Sequence, residues 1–222
     1  MNYALILAGG SGSRINSPVP KQFIELDGTP IIVHTLRAFL KYSGNLSIIL
    51  VLAEAYLSTW DRISREYNFN NSIILRKGGN TRFQSVLSGL AEVKSEGLVA
   101  IHDGVRPFVS QDIIHNSFLV AKKHQAAVPV VALKESICSI ENNQVKLLDR
   151  TTFRLTQTPQ TFDNEQIKKA YDIDENPNFT DDATVAQKAG MNISFFEGSY
   201  KNIKISTVED LEIAETFIKM YR

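Results

Sequence analysis

The amino-acid sequence predicts an α/β fold built on a mostly parallel sheet. Short runs rich in Ile, Val and Leu alternate with longer segments of helical period, which is the pattern of strands joined by crossover helices. The 222 residues fit one α/β domain with an elaboration, and a chain of this length can bury a sizeable core. We therefore expect a single domain over residues 1–222.

Five apolar runs are the predicted strands of the sheet. In chain order they are residues 3–7, 47–52, 72–76, 98–102 and 127–133. Between them, residues 31–41, 53–67 and 81–94 have helical period. The helix over residues 81–94 is predicted to pack one face on the sheet through Phe83, Val86, Leu87, Leu90 and Val93.

A last helix is predicted near the end of the sequence. Ser206-Thr207-Val208-Glu209 has the capping-box pattern of a helix start. The apolar positions Leu211, Ala214, Phe217 and Ile218 follow it.

Residues 134–153 interrupt the alternation of strands and helices. Two runs of alternating character flank Glu141-Asn142-Asn143-Gln144, a plausible turn, so the segment is predicted to form a β-hairpin. A lone hairpin is marginal in water and needs a partner surface. It is either an edge hairpin folded back on its own sheet or an arm that packs on a second subunit.

Composition excludes several classes of partner. Lys plus Arg total 24 against 24 Asp plus Glu, so no global field draws the protein to nucleic acid or to an anionic membrane. No run of about 18 apolar residues predicts a membrane-spanning helix. The single cysteine, Cys138, forms no internal disulfide, and the start of the sequence lacks the features of a secretory signal. We expect a cytoplasmic protein.

A glycine-rich loop follows the first predicted strand, with the sequence L-A-G-G-S-G-S-R-I-N-S-P-V-P-K-Q over residues 7–22. No lysine and hydroxyl follow its last glycine as in P-loop enzymes, and Ile15 stands where a dinucleotide fingerprint needs glycine. The glycines allow backbone N–H groups to approach a polyphosphate, and Arg14 and Lys21 supply charge. The alternative is a tight connection with two solvated cations. Two prolines stiffen the approach to Lys21 and favour the phosphate interpretation.

Three further segments are expected at the carboxyl ends of strands, where open α/β sheets bind ligands. The glycines of residues 77–82 could admit a flat base beside the Ser85 hydroxyl, or they could be helix-start turn chemistry alone. After the fourth strand, Asp103 and Arg106 stand three residues apart across a glycine, either as an ion pair or as a ribose or metal site. Lys204 lies between two isoleucines, either solvated or directed at the same phosphates.

Taken together, these motifs resemble a known family over essentially the whole chain. The segments are L-A-G-G-S-G-S-R, P-K-Q-F, G-G-N-T-R-F-Q-S-V, H-D-G-V-R-P-F, Q-T-P-Q-T-F, F-T-D-D-A and N-I-K-I-S-T-V-E-D-L. In this order they resemble the 2-C-methyl-D-erythritol 4-phosphate cytidylyltransferases of the non-mevalonate isoprenoid pathway. Any one motif is weakly specific, because sugar-nucleotide transferases share the glycine loop.

The resemblance implies a Rossmann-like nucleotidyltransferase domain and a homodimer that exchanges the hairpin arms at residues 134–153. The implied reaction transfers CMP from CTP to 2-C-methyl-D-erythritol 4-phosphate and releases pyrophosphate. Mg²⁺ or another divalent cation would enter with CTP, and no metal ligand is identified in the sequence. The substrate's own phosphate is the nucleophile, so no general base is needed. His34, His115 and His124 lie in predicted helices, and His102 is expected to be structural.

Residue roles follow from the resemblance by motif position. The implied catalytic residues are Arg14, Lys21, Lys204 and Arg150. The implied nucleotide contacts are Ala8, Gly9, Gly10, Gly12, Gly79, Ser85, Asp103 and Gly104. The implied contacts of the acceptor substrate, some of them from the partner's arm, are Asp103, Arg106, Ser136, Arg150, Thr158 and Thr180.

Two departures from the family pattern and two alternatives accompany this interpretation. Asn80 stands where many members have Asp, and Ser136 stands where Thr is frequent; both keep a hydrogen-bonding group. Ribitol 5-phosphate cytidylyltransferases share the loop and the Q-T-P-Q motif and differ mainly in the acceptor. An alternative of another class is a catalytically silent nucleotide-binding module, against which the presence of Arg14 and Lys21 argues.

Overall fold

A computed structural model describes residues 1–10, 15, 17–42, 45–69, 72–94 and 96–220 of the chain. The strands are β1 (Asn2–Leu7), β2 (Glu25–Leu26), β3 (Thr29–Pro30), β4 (Leu46–Leu52), β5 (Ile73–Lys77), β6 (Leu98–Asp103), β7 (Ala126–Ala132), β8 (Ile137–Glu141), β9 (Gln144–Leu148), β10 (Arg154–Thr156), β11 (Gln160–Asp163) and β12 (Ser194–Glu197). The α-helices are α1 (Ile31–Leu40), α2 (Leu57–Glu66), α3 (Arg82–Leu90), α4 (Gln111–His124), α5 (Asn164–Ala170), α6 (Asp182–Lys188) and α7 (Val208–Met220). Short 3-10 helices cover Lys21–Phe23, Glu54–Tyr56 and Arg150–Thr152.

The central sheet has eight strands. Seven follow the order β10-β7-β11-β6-β1-β4-β5, and β12 is a further strand that pairs with β7. β1 pairs in parallel with β4 and β6, β4 with β5, and β12 with β7. β10 and β11 run antiparallel to their neighbours. The predicted α/β class with a mostly parallel sheet is therefore confirmed.

Helices cover both faces of the sheet because each central strand is apolar on both sides. Along β1, Ala4 and Ile6 belong to the core cluster that α1, α2 and α4 close. Tyr3 and Leu5 belong to the opposite cluster under α3, α5 and α6. None of the helices in the described part of the chain has the length and apolar character needed to cross a lipid bilayer.

Two helix predictions need correction. α3 ends at Leu90, not at Lys94, because the N–H groups of Glu92 and Val93 turn to carbonyls three residues back. Leu87, predicted on the buried face, is 40% exposed. α7 begins after Thr207, whose hydroxyl accepts from the Asp210 N–H, and the Asp210 carboxylate accepts from the backbone of Ser206 and Thr207. The capping box is thus Thr207 to Asp210 instead of Ser206 to Glu209.

The predicted hairpin is formed by β8 and β9, which pair with each other in a two-stranded sheet apart from the central one. Asn142 and Asn143 both have positive φ angles, which is the backbone of a tight two-residue hairpin turn. Ile140 pairs with Val145 and Cys138 with Leu147, so these four side chains share one face, and all four are exposed.

Candidate active site

A cavity of about 560 Å³ opens at the carboxyl ends of β1, β4, β5 and β6. Parallel strands place their carboxyl ends at one edge of the sheet, so the loops that follow them converge there. The cavity is lined by Leu7, Ala8, Gly9, Gly10, Lys21, Gln22, Ala53, Gly79, Asn80, Thr81, Arg82, Ser85, Asp103, Val105 and Lys204. The loop after β1, the loop after β5 and the Asp103 segment therefore meet, as the sequence predicted. Lys204, for which a solvated position was the alternative, lines the same cavity.

The loop after β1 is held against its neighbours by two hydrogen bonds of Ala8. Its N–H donates to the Val51 carbonyl at 2.9 Å, and its carbonyl accepts from the Gln22 side-chain amide at 2.9 Å. Gln22 is buried, and it follows Lys21 in a 3-10 helix that Pro20 precedes with φ −56°. Gln22 therefore ties the lysine-bearing turn to the glycine loop. Gly12 and Arg14, both predicted site residues, lie outside the described residues.

The loop after β5, residues 78–81, makes a close turn into α3. A Cβ on Gly79 would lie 2.3 Å from the Gln84 Cβ, so only glycine fits this turn. Thr81 caps the helix by accepting the Gln84 N–H. The Ser85 hydroxyl donates to the Thr81 carbonyl at 2.8 Å, which leaves its oxygen as an acceptor at the cavity wall.

Asp103 joins two cations at the end of β6. One carboxylate oxygen lies 3.1 Å from the Lys204 Nζ and 3.0 Å from the Arg106 Nε. Burial by itself would raise the pKa of this carboxyl, but Lys204, Arg106 and the more distant Arg82 outweigh it and hold the pKa well below its ordinary range. Asp103 is therefore a permanent anion that fixes both cations.

Gly104 follows Asp103 where the ends of β6 and β1 approach. Its N–H donates to the Leu7 carbonyl at 2.8 Å. A Cβ at this position would come within 3.0 Å of the Leu7 oxygen and the Ala8 Cβ, and closer still to Ile32. Packing alone therefore requires glycine at position 104, independently of any ligand in the cavity.

His102 is structural in this chain, as the sequence predicted. Its Nε2 lies 3.3 Å from the Arg106 carbonyl, which can only accept, so Nε2 carries the proton. Nδ1 then accepts from the Thr158 hydroxyl at 3.0 Å, and that hydroxyl accepts the Asp103 N–H at 3.1 Å. Burial lowers the pKa of His102 to about 3, so the ring stays neutral.

Of the predicted acceptor-side residues, Asp103 lines this cavity and the others do not. Thr158 is buried behind Asp103 with its hydroxyl engaged as above. Ser136 and Arg150 lie at the base of the hairpin, where Arg150 donates to the Lys134 carbonyl. Thr180 is exposed just ahead of α6. Their predicted contacts with an acceptor stay predictions.

An ion pair beside the loop after β5, with one partner fully buried, was not predicted from the sequence. Arg82 lines the cavity, and its guanidinium donates to both oxygens of Asp182 at 2.9 and 2.6 Å. The fully buried Asp182 also accepts the Tyr171 hydroxyl at 2.6 Å. This pair joins the start of α3, next to the loop after β5, to the start of α6, next to Thr180. The only sequence signal was that T-R-F and F-T-D-D-A both belong to the set of recognised motifs.

The described residues offer one carboxylate to a metal ion in the cavity. Asp103 is the only acidic residue of the described cavity wall. In the same part of the chain no three His, Cys, Asp or Glu side chains cluster as metal ligands. This donor set does not fit a metal held by protein alone, but it fits Mg²⁺ that keeps water and phosphate ligands and takes one carboxylate.

Comparisons with known proteins agree with the geometry. The sequence profile of the 2-C-methyl-D-erythritol 4-phosphate cytidylyltransferase (IspD) family matches residues 3–220. The chain is 42% identical to the enzyme of that name from Bacteroides thetaiotaomicron over 96% of this chain and 98% of the relative. The corresponding Bacteroides fragilis enzyme is 41% identical over 97% of this chain and 98% of its own.

Two solved structures show this fold over nearly the whole chain. The crystal structure of the Francisella tularensis 2-C-methyl-D-erythritol 4-phosphate cytidylyltransferase superposes with a TM-score of 0.80 at 32% identity, covering 97% of this chain and 98% of that one. The 4-diphosphocytidyl-2C-methyl-D-erythritol synthase of Anaerococcus prevotii gives a TM-score of 0.83 at 28% identity over 98% of this chain and 96% of that one. Each of these two superpositions covers at least 96% of both chains.

Proposed function

The chain belongs to the 2-C-methyl-D-erythritol 4-phosphate cytidylyltransferase family, and on that premise we propose how its cavity performs the family's reaction. The reaction transfers CMP from CTP to 2-C-methyl-D-erythritol 4-phosphate in isoprenoid biosynthesis. An oxygen of the acceptor phosphate attacks the α-phosphorus of CTP, and the bond to the β-phosphate breaks to release pyrophosphate. The observation that carries the proposal is the convergence of Lys21, Lys204 and Asp103 on one glycine-lined cavity.

The nucleotide is proposed to lie along the glycine-rich edge of the cavity. Backbone groups of Ala8, Gly9, Gly10 and Gly12 would face the triphosphate, as glycine loops do. The cytosine would lie beside the close turn at Gly79, which carries no side chain, and the Ser85 oxygen is an acceptor suited to the cytosine amino group. Gly104, beside Asp103 at the end of β6, would face the ribose.

Catalysis is proposed to depend on charge neutralisation around the α-phosphate. Phosphoryl transfer has a loose transition state, so positioning and electrostatics supply most of the rate enhancement. Lys21 and Arg14 would stabilise charge on the transferred phosphorus, and Lys204 would orient the attacking phosphate. The acceptor phosphate is already ionised at neutral pH, so the buried, neutral His102 is not needed as a base.

A divalent cation, Mg²⁺ or one of similar chemistry, is proposed to enter with CTP. Asp103 is the described carboxylate that could hold it, together with the phosphate oxygens. When bound, the cation would neutralise part of the negative charge on the triphosphate.

The acceptor is proposed to bind at a composite site completed by a second copy of the chain. Asp103, Arg106 and Thr180 would contribute from one protomer and Ser136 and Arg150 from the arm of the other, with Thr158 also assigned to the acceptor side. The apolar face of the arm supports this arrangement, because Ile140, Val145 and Leu147 are 69%, 65% and 81% exposed. Such a face on a marginal two-stranded hairpin needs a covering surface.

A groove of about 640 Å³ along β7 and β12 is a suitable receptor for a partner's arm. Its wall includes Arg154, Phe195 and Tyr200, and Phe195 is 61% exposed. We propose a homodimer in which the arms are exchanged across these grooves.

The activity is tested by pyrophosphate release from CTP and Mg²⁺ with two parallel acceptors, 2-C-methyl-D-erythritol 4-phosphate and ribitol 5-phosphate. We expect turnover with the first acceptor alone and its loss in Lys21→Ala, while Lys123→Ala, on the exposed face of α4, remains active. Turnover with ribitol 5-phosphate alone would refute the proposed acceptor and identify ribitol 5-phosphate in its place. CTP binding with no turnover on either would indicate a binding module.

The exchanged arms are tested by subunit complementation. Inactive Arg150→Ala and Lys21→Ala proteins are mixed under conditions of subunit exchange. If Arg150 acts in the neighbouring site, the heterodimer regains one intact site and part of the activity. Confirmed heterodimers without recovery would contradict the arrangement.

A further inference from the structure

Asn202 is a buried amide two residues before Lys204, and the proposed reaction gives it no role. It is fully buried, and its side-chain nitrogen donates to the Thr158 carbonyl at 2.8 Å. The same nitrogen lies 3.5 Å from the Gln157 side-chain oxygen. Asn202 therefore joins the Lys204 segment to the link between β10 and β11, which carries Gln157 and Thr158.

The backbone of Asn202 closes a ring of contacts through the active site. Its carbonyl accepts from the Arg106 Nη1 at 2.8 Å. Arg106 in turn donates to Asp103 at 3.0 Å, and the same Asp103 oxygen holds the Lys204 Nζ at 3.1 Å. Only one residue separates Lys204 from Asn202 along the chain, and this short link closes the ring. Any displacement of Asn202 therefore moves both cations that face Asp103.

The stretch of chain around Asn202 is held by individual bonds, because residues 201–206 belong to no helix or strand. The Asn202 N–H donates to the Ser199 carbonyl and the Ile205 N–H to the Val105 carbonyl, both at 3.0 Å. The Lys201 N–H donates to the Ser199 hydroxyl at 3.2 Å, and the Ser206 N–H donates to the Asp210 carboxylate at 2.8 Å. Gln157 holds Ser199, which lies just before this segment. Its side-chain nitrogen donates to the Ser199 carbonyl, and its side-chain oxygen accepts from the Ser199 N–H.

We propose that Asn202 is a positioning residue that holds the Lys204 ammonium at Asp103 by anchoring residues 201–205 to the Thr158 carbonyl. This inference rests on the proposed role of Lys204. Because Lys204 is 40% exposed on a long flexible side chain, its backbone must be fixed for the ammonium to reach one place. Catalysis by charge placement is sensitive to displacements near 1 Å.

A double-mutant cycle separates this role from a general contribution to folding. The variants are Asn202→Ala, Lys204→Ala and their combination, each assayed for kcat and KM by pyrophosphate release at saturating Mg²⁺. If Asn202 acts through Lys204, Asn202→Ala lowers kcat/KM on the order of 100-fold alone. In the Lys204→Ala background it lowers the value by about threefold or less. The stability control is Ile114→Ala, a buried change in α4 that is expected to lower stability and leave kcat unchanged.

If Lys204→Ala is itself strongly impaired and Asn202→Ala lowers kcat/KM equally in both backgrounds, the positioning role of Asn202 is refuted. The proposed role of Lys204 would then stand. A fully active Lys204→Ala would instead refute the proposed role of Lys204 and, with it, the positioning role of Asn202. If Asn202→Ala does not fold, the same cycle is run with Asn202→Ser, whose shorter hydroxyl preserves a polar group but not the reach to the Thr158 carbonyl. Losses that persist in the Lys204→Ala background contradict the inference there too.

Discussion

The ammonium of Lys204 and the carboxylate of Asp103 lie 3.1 Å apart, although the two residues stand in different thirds of the sequence. The same carboxylate oxygen holds Arg106 at 3.0 Å. One buried anion therefore sets the spacing of two cations, of which Lys204 lines the cavity and Arg106 is buried behind it. A cation held in this way needs little reorganisation when a phosphate arrives.

Asp103→Asn is expected to reduce kcat/KM on the order of 100-fold, because the neutral amide no longer fixes the Lys204 ammonium. Steady-state pyrophosphate release measures the loss. Asp112→Asn, an exposed change in the first turn of α4, is the matched control and is expected to be silent. Wild-type kinetics in Asp103→Asn would contradict the anchoring role of the carboxylate.

The buried His102 is expected to make the protein less stable in mild acid. Its pKa is about 3 in the folded chain, against 6.5 ordinarily, so the unfolded chain binds a proton that the folded chain excludes between these values. The free energy of unfolding therefore falls as the pH drops below about 6.5, by up to about 1.4 kcal/mol per pH unit.

Urea unfolding of the wild type and His102→Gln between pH 5 and 7 measures this contribution. We expect the pH slope to be smaller in His102→Gln, which cannot gain the proton. His124→Gln removes an exposed histidine at the end of α4 and should keep the wild-type slope. An unchanged slope in His102→Gln would show that other groups carry the acid sensitivity.

Asp182→Asn is expected to destabilise the fold by about 3 kcal/mol, because it breaks a buried pair and leaves the Arg82 charge without its partner. The matched control is Asp61→Asn, which breaks an exposed pair with Arg65 and should cost less than about 1 kcal/mol. Denaturant unfolding gives both values. Similar small losses would mean that the buried pair adds little beyond its desolvation cost.

Gly104→Ala is expected to cost about 1–3 kcal/mol of stability, because the new Cβ presses on the Leu7 carbonyl and the β1 end must shift. Gly10→Ala provides the comparison. Its Cβ would meet only the Lys21 Cε at 3.8 Å, an ordinary contact. Thermal unfolding should separate the two variants, and equal melting temperatures would refute the packing argument.

Leu147→Asp is expected to dissociate the proposed dimer without unfolding the protomer, because the side chain is exposed in the single chain and apolar. Lys146→Asp places the same charge on the opposite face of β9 and should leave the dimer intact. Sedimentation velocity across a concentration series measures both. A dimeric Leu147→Asp would exclude the apolar arm face as the contact.

The central strands of the sheet were predictable because they are buried on both faces and hence continuously apolar, whereas β5, at the edge, was predictable from its run of three apolar residues. β1 and β4 to β7 match the predicted runs to within a residue or two. β10, β11 and β12 were not predicted, since each is only three or four residues long and depends on β7 as its pairing partner. Such strands exist only where a neighbouring strand supplies the hydrogen bonds.

The residue pattern by itself determined the α/β class, the order of the glycine loops and the residues that line the cavity after β1, β5 and β6. Local chemistry suffices for these features, because turn glycines, caps and apolar periodicity act over a few residues. Only the tertiary structure decided that Lys204 meets Asp103, that Arg82 pairs with Asp182 and that Asn202 donates to the Thr158 carbonyl. These contacts join residues far apart in sequence, whose distances depend on how the sheet is ordered and on which helices cover it.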